Sequence, residues 1–194
     1  MLNQIYPMKK EIIIGISGAS GVQYGIRLLE TLKMMNGFTT HLVISESAKK
    51  LIEIETEIPL RDVAELAGFV YSDNDFTAPI ASGSHRTEGM IVAPCSMKTL
   101  SSIAIGMSDT LISRAADVCL KEKRLLILMV RETPLNLIQI ENMKRAAEAG
   151  AIILPACPAF YPKPKCLDEI IDFMAGRALD LLKIEHNLYR RWRD

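Results

Sequence analysis

The chain has 194 residues, 49% of them hydrophobic, and its 23 basic side chains balance its 23 acidic ones. That length and apolar content suit one domain with a substantial core and exclude a disordered chain. A zero net charge argues against a general nucleic-acid binder, and no run of about 18 apolar residues is present to span a membrane.

The opening MLNQIYPMKK lacks the apolar centre of a signal peptide. Residues 1–9 are therefore expected to be a flexible extension, and residues 10–194 one cytoplasmic domain. Residues 11–16 (EIIIGI) form a β-branched run suited to a strand buried on both faces. The run breaks into SGASG, a turn whose glycines let the backbone approach a ligand. Residues 21–35 then carry Val22, Ile26, Leu29 and Leu32 at helical spacing. A second strand is predicted at 39–45 (TTHLVIS), followed by helices at 47–56 and 59–66. Residues 68–87 are rich in Ser, Asp, Pro and Gly and read as a loop with room for one short strand.

A further strand is predicted at 89–94 (GMIVAP), then helices at 96–105 and 109–121 separated by Gly106. Residues 124–130 (RLLILMV) read as a strand, 135–149 as a helix, 151–155 as a strand and 167–182 as a helix. A charged tail around Trp192 closes the chain. Strands alternating with helices, over crossovers of this length, imply a single α/β doubly wound, Rossmann-like domain with a mostly parallel sheet and helices on both faces. In such sheets ligands bind beyond the carboxyl ends of the strands.

Four such ends carry chemistry. GISGASG has Gly15, Gly18 and Gly21 spaced by three, which is not G-x-G-x-x-G. The second strand closes on the hydroxyl of Ser45 and not on an acid, a pattern that suits a mononucleotide better than a dinucleotide. APCSMKTLS puts Ser96, Met97, Lys98 and Thr99 at a helix start, where amides and hydroxyls bind anions. RETPL places Arg131 and Glu132 at the mouth of an apolar strand. Arg suits phosphate and Glu suits proton transfer. PACPAFYPKP is a stiff loop bearing Phe160 and Tyr161. The cysteines (Cys95, Cys119, Cys157 and Cys166) form no CxxC pair and are expected to be reduced, buried thiols. His41, His85 and His186 are far apart and make no HExxH-like pattern, so no metal is expected.

The segments GISGASGVQYG, ASGSHRTEGMIVAPCSMKTLS, RAADVCLKEKRLLILMVRETPL and PAFYPKP, in this order, resemble the UbiX-type flavin prenyltransferases over about residues 10–192. The resemblance implies metal-independent alkylation of reduced FMN by dimethylallyl phosphate, at flavin N5 and C6. The product, prenylated FMN, would serve a UbiD-type decarboxylase in ubiquinone or aromatic-acid metabolism. It also implies a homododecamer with sites at subunit contacts. Carried over residue by residue, Gly18, Ala19, Ser20, Ser45, Ser96, Met97, Lys98, Thr99 and Arg131 would hold FMN. Tyr161, Arg177, Lys121, Arg114 and Trp192 would serve the dimethylallyl phosphate, partly from a neighbouring subunit. Glu132, Ser20 and Glu55 would be catalytic. Two other readings stay open: a non-catalytic flavin-binding protein, and a cysteine-decarboxylating flavoprotein. The latter depends on a PASANT-like segment, whereas PCSMKT stands here.

Overall fold

The computed structural model describes residues 9–193. The flexible extension expected at residues 1–9 lies outside the described residues apart from Lys9. The first half contains β1 (Lys10–Ile16), α1 (Gln23–Met34), β2 (Phe38–Ile44), α2 (Glu46–Glu55), α3 (Leu60–Glu65) and β3 (Phe69–Ser72). The second half contains β4 (Gly89–Cys95), α4 (Met97–Ala104), α5 (Leu111–Lys121), β5 (Leu125–Val130), α6 (Leu137–Glu148), β6 (Ile152–Ile153) and α7 (Leu167–Leu181). The strands form one sheet in the order β3-β2-β1-β4-β5-β6, with every neighbouring pair parallel.

The period of two in the apolar strands divides the core between the two faces of the sheet. Ile12, Ile14 and Ile16 of β1, Leu42 and Ile44 of β2, and Ile127 and Met129 of β5 pack into one cluster with residues of α1 and α7. The alternate residues Ile13, Val43, Leu126 and Leu128 enter the other cluster, with Leu100 of α4 and Ile112 and Ala116 of α5. Each fully buried Ile or Leu contributes about 1.5–3 kcal/mol of transfer free energy. Both faces are therefore closed by helices. Gly25 lets α1 sit tight on the sheet, because a Cβ there would lie 2.3 Å from the Ala93 carbonyl oxygen.

Several boundaries differ from expectation for identifiable reasons. Gly21 has φ +100°, so α1 begins only at Gln23. α6 begins at Leu137, because Asn136 caps it and exchanges hydrogen bonds with Gln139. The last strand contracts to Ile152–Ile153, a half-buried edge pair, although Leu154 and Ala156 each still donate one amide to β5. The short strand allowed for in residues 68–87 is β3, which lies beside β2 at the other edge. Cys95 and Cys119 are buried, and burial pushes the Cys119 thiol up to about 12. Cys157 and Cys166 are exposed, contrary to the expectation, because the segment after β6 leaves the sheet. Among the described residues no helix is long and apolar enough to cross a membrane.

The parallel sheet brings the carboxyl ends of its strands to one rim. The chain runs outward from β1 to β3 and then returns to β4 beside β1, so the order reverses between β1 and β4. Ser17 pins this point. Its buried hydroxyl donates to the Pro94 carbonyl at 2.9 Å and accepts from the Ser96 amide at 2.8 Å.

Candidate active site

A cavity of about 640 Å³ opens at this rim. The turn after β1 supplies Gly18, Ala19 and Ser20 to its wall. This turn folds against α2 so closely that a Cβ on Gly18 would lie 2.5 Å from the Ser47 Cβ. After β2, Ser45 caps α2 by accepting the Ala48 amide at 3.2 Å, and Glu46, Ser47 and Leu51 line the cavity beside it. After β4, buried Ser96 caps α4 by accepting the Thr99 amide at 3.3 Å, and its hydroxyl donates to the Thr99 hydroxyl at 3.1 Å. Met97 and Lys98 complete that wall, with the Lys98 ammonium 2.9 Å from an Asp109 carboxylate oxygen. After β5 come Arg131 and Glu132. The Arg131 amide donates to the Cys95 carbonyl at 3.3 Å, and the Glu132 carboxylate accepts the Thr133 amide at 3.0 Å.

The N-terminal turns of α2 and α4 therefore face a common space together with a guanidinium. Helix N-termini carry partial positive charge and amide donors, so the wall favours an anionic ligand rich in hydroxyls. Leu51 and Met97 add apolar surface. The volume falls within the roughly 300–1,000 Å³ typical of cofactor sites.

Sequence reading missed Glu46, Ser47 and Leu51, and likewise Asp73, Asn74 and Thr110, which also line the cavity. Asp73 holds the start of α5 through Leu111 N to its carbonyl at 2.6 Å and Ile112 N to its carboxylate at 3.0 Å. Burial pushes its carboxyl above the usual range, against the pull of the Ile112 amide. The available signal was DND directly after FVYS, which places acidic and amide groups at another strand end.

The remaining expected residues stand outside this cavity. Half-buried Glu55 ends α2, and its carboxylate accepts the amides of Gly21 at 2.8 Å and Val22 at 3.3 Å. It thus sets a negative charge beside the N-terminus of α1 and commits the two amides that lead into that helix to protein. Tyr161, Arg177 and Trp192 gather on the C-terminal side. The Tyr161 ring meets Phe173 edge-on at 6.0 Å and Trp192 at 5.0 Å. Arg177 donates to Asp180 at 2.8 Å and to the Tyr189 hydroxyl at 3.3 Å. Helix α7 lies beside α1, joined by Arg27 to Asp172 at 2.5 Å. Tyr24 lies in the first turn of α1. It packs on the same core cluster as Ala159 and Tyr189, and its hydroxyl, pushed up by burial, also feels the charge of Arg131.

Arg114 and Lys121 lie along α5, away from the cavity that Thr110 lines. Arg114 binds the Ala81 carbonyl at 3.1 Å and Asp117 at 2.9 Å, and Lys121 pairs with Glu122. Lys121 is ten residues beyond the first residue of the helix, about 15 Å along its axis.

A protein-family model described as Flavoprotein matches residues 5–181. The flavin prenyltransferase UbiX of Thermoplasma acidophilum is 49% identical over 181 residues, covering 93% of this chain and 99% of its own. The crystal structure of AnUbiX in complex with FMN and dimethylallyl pyrophosphate superposes with a TM-score of 0.93 at 45% identity, covering 96% of this chain and 98% of its own. A dodecameric FMN-dependent UbiX-like decarboxylase from Escherichia coli O157:H7 gives the same TM-score at 47% identity, covering 95% and 100%.

Proposed function

The chain belongs to the flavoprotein family and, within it, to the UbiX flavin prenyltransferases, and we propose that it transfers the dimethylallyl group of dimethylallyl phosphate to reduced FMN, at N5 and C6. One observation carries the reading: every residue assigned to FMN from the sequence lines the same cavity, drawn from the ends of β1, β2, β4 and β5. Hydroxyls, helix amides, Arg131 and two apolar side chains fit a phosphorylated polyol joined to a flat ring. When bound, reduced FMN supplies the nucleophilic ring positions.

The chain's own residues do the rest. The turns at Gly18–Ser20 and Ser96–Thr99 fix the ring against the sheet rim. Arg131 and Arg177 hold the phosphate and take up the charge that grows on it as the C–O bond breaks, the task a metal performs in other prenyl transfers. Asp180 and Tyr189 occupy only one edge of the Arg177 guanidinium, which leaves donors for an anion. Tyr161 and Trp192 present aromatic faces suited to an allylic carbon that gains positive charge. Glu132, solvent-accessible at the cavity wall, moves the proton between Ser20, ligand and phosphate. Glu55 holds the turn that follows Ser20 through the Gly21 amide, which sets its carboxylate beside the catalytic wall. Arg114 and Lys121 reach the site of a neighbouring copy in a homododecamer. The product passes to a UbiD-type decarboxylase in the cytoplasm.

Anaerobic incubation with reduced FMN and dimethylallyl phosphate is expected to add one five-carbon unit to the flavin mass. Absence of that adduct overturns the assignment. Omitting dimethylallyl phosphate, or replacing it with the pyrophosphate, tests the donor. A chelator is expected to leave the rate unchanged. Glu132→Gln is expected to keep FMN bound while turnover falls about 10²–10⁴-fold. Arg177→Ala is expected to raise KM for the donor far more than it weakens FMN.

A further inference from the structure

At the opposite end of the sheet the fold assembles a cluster that sequence spacing hides. Glu11 lies at the start of β1, His41 within β2 and His85 in the segment leading to β4. His41 Nε2 is 3.0 Å and His85 Nε2 2.8 Å from the same carboxylate oxygen, Oε2 of Glu11. We propose that Glu11, His41 and His85 form a binding site for a divalent first-row transition cation of the zinc class.

Five observations support it. Two imidazoles and one carboxylate are the donor set such cations prefer, and adjacent donors at about 2.1 Å from a metal stand about 3.0 Å apart in octahedral and about 3.4 Å apart in tetrahedral geometry, so a small outward shift of the rings admits the ion. The three ligand atoms all lie within 4.8 Å of one another. His41 is almost wholly buried and its second nitrogen, Nδ1, lies 3.0 Å from the Tyr71 hydroxyl. That is the outer contact by which ligating imidazoles are oriented. His85 is held by its backbone, since Arg124 donates to the carbonyls of Gly83 at 2.6 Å and His85 at 2.7 Å.

The fifth observation is an orphan. His85 Nε2 is buried and, despite its closeness to Glu11, makes no hydrogen bond of acceptable geometry. Among the described residues only Thr87 Oγ1, two residues on, shares that condition. Both residues line a cavity of about 610 Å³ with Glu11, which leaves room for water on the open positions of the ion. Buried nitrogen without a partner is costly, and a cation satisfies it. The ion would clamp β1, β2 and the approach to β4. It sits about 16 Å along β1 from the flavin rim and takes no part in the chemistry there.

The test uses chelator-treated protein titrated with cobalt(II), followed by visible absorption, and with zinc(II), followed by calorimetry. One equivalent is expected. Zinc at a hundredfold excess over its dissociation constant is expected to raise the melting temperature by about 5–10 °C. Glu11→Gln and His85→Gln are expected to abolish uptake while FMN binding persists. Tyr71→Phe is expected to weaken uptake about 10- to 100-fold. No uptake by the wild-type chain overturns the proposal. Uptake unchanged in His85→Gln also overturns it and assigns the metal to surface groups. His85 is partly exposed, so this variant keeps the test valid if Glu11→Gln fails to fold.

Discussion

At the scale of single residues, position in the chain and task in the fold separate. Glu55 lies in EIETE among other acids, where solvent exposure is the ordinary reading. The structure instead commits its carboxylate to the amides of Gly21 and Val22, in the turn that leads into α1. Glu55→Ala is expected to cost about 1–2 kcal/mol, seen as a melting temperature lowered by about 3–6 °C, since those amides lose their acceptor. Glu55→Gln keeps an acceptor and should recover much of the loss, with turnover near that of the wild type. A large loss of turnover without a stability change would give Glu55 a direct part in the chemistry. Asp180 offers a pH test. Burial raises its carboxyl, but hydrogen bonds from Tyr189 and Arg191 outweigh this and hold it below its ordinary 3.8. A depressed carboxylate contributes stability above 3.8 that disappears as pH falls through the folded value. Asp180→Asn is therefore expected to be less stable than the wild type at neutral pH, the gap narrowing below about pH 4 in thermal melts.

At the scale of elements, interior strands were legible and edges were not. The buried runs IIIGI and LLILMV leave no polar face, so their strands follow from sequence alone. β3 and β6 are short, each paired on one side only, and their identity depends on the neighbour that receives them. The close approach of α1 was equally invisible, although Gly25 stood in a quoted motif. Gly25→Ala is expected to destabilise by about 1–3 kcal/mol, because the new methyl meets a backbone carbonyl that cannot retreat. Circular dichroism melts check it. The N-caps Ser45 and Ser96 were readable as strand ends and helix starts together, which is why the cavity's hydroxyl wall was recognised before its acid, Asp73.

At the scale of the whole molecule, one chain divides its expected site residues among four places: the rim cavity, the end of α2 where Glu55 stands, the α7 side and the length of α5. Family likeness supplied the residues on α5, but no pattern within one chain says which copy they serve. Lys121 at the far end of α5 cannot reach the cavity that Thr110 lines at the near end. Oligomers co-assembled from Lys121→Ala and Glu132→Gln chains are expected to regain part of the activity that each variant lacks alone, as the two defects fall in different sites. No regain would place Lys121 outside the reaction. The cluster of Glu11, His41 and His85 teaches the same lesson, since the parallel register sets Glu11 opposite Thr39 and so puts it on the same face as His41, two positions on.

The hydroxyl of Ser17 has one proton, and that proton is committed to Pro94, so its lone pair must receive Ser96. The two turns that carry opposite walls of the cavity are thereby locked in a fixed relation before any ligand arrives. Deuterium should enter the Ser96 amide slowly even in the empty protein, and flavin entry should resemble a key meeting a finished lock.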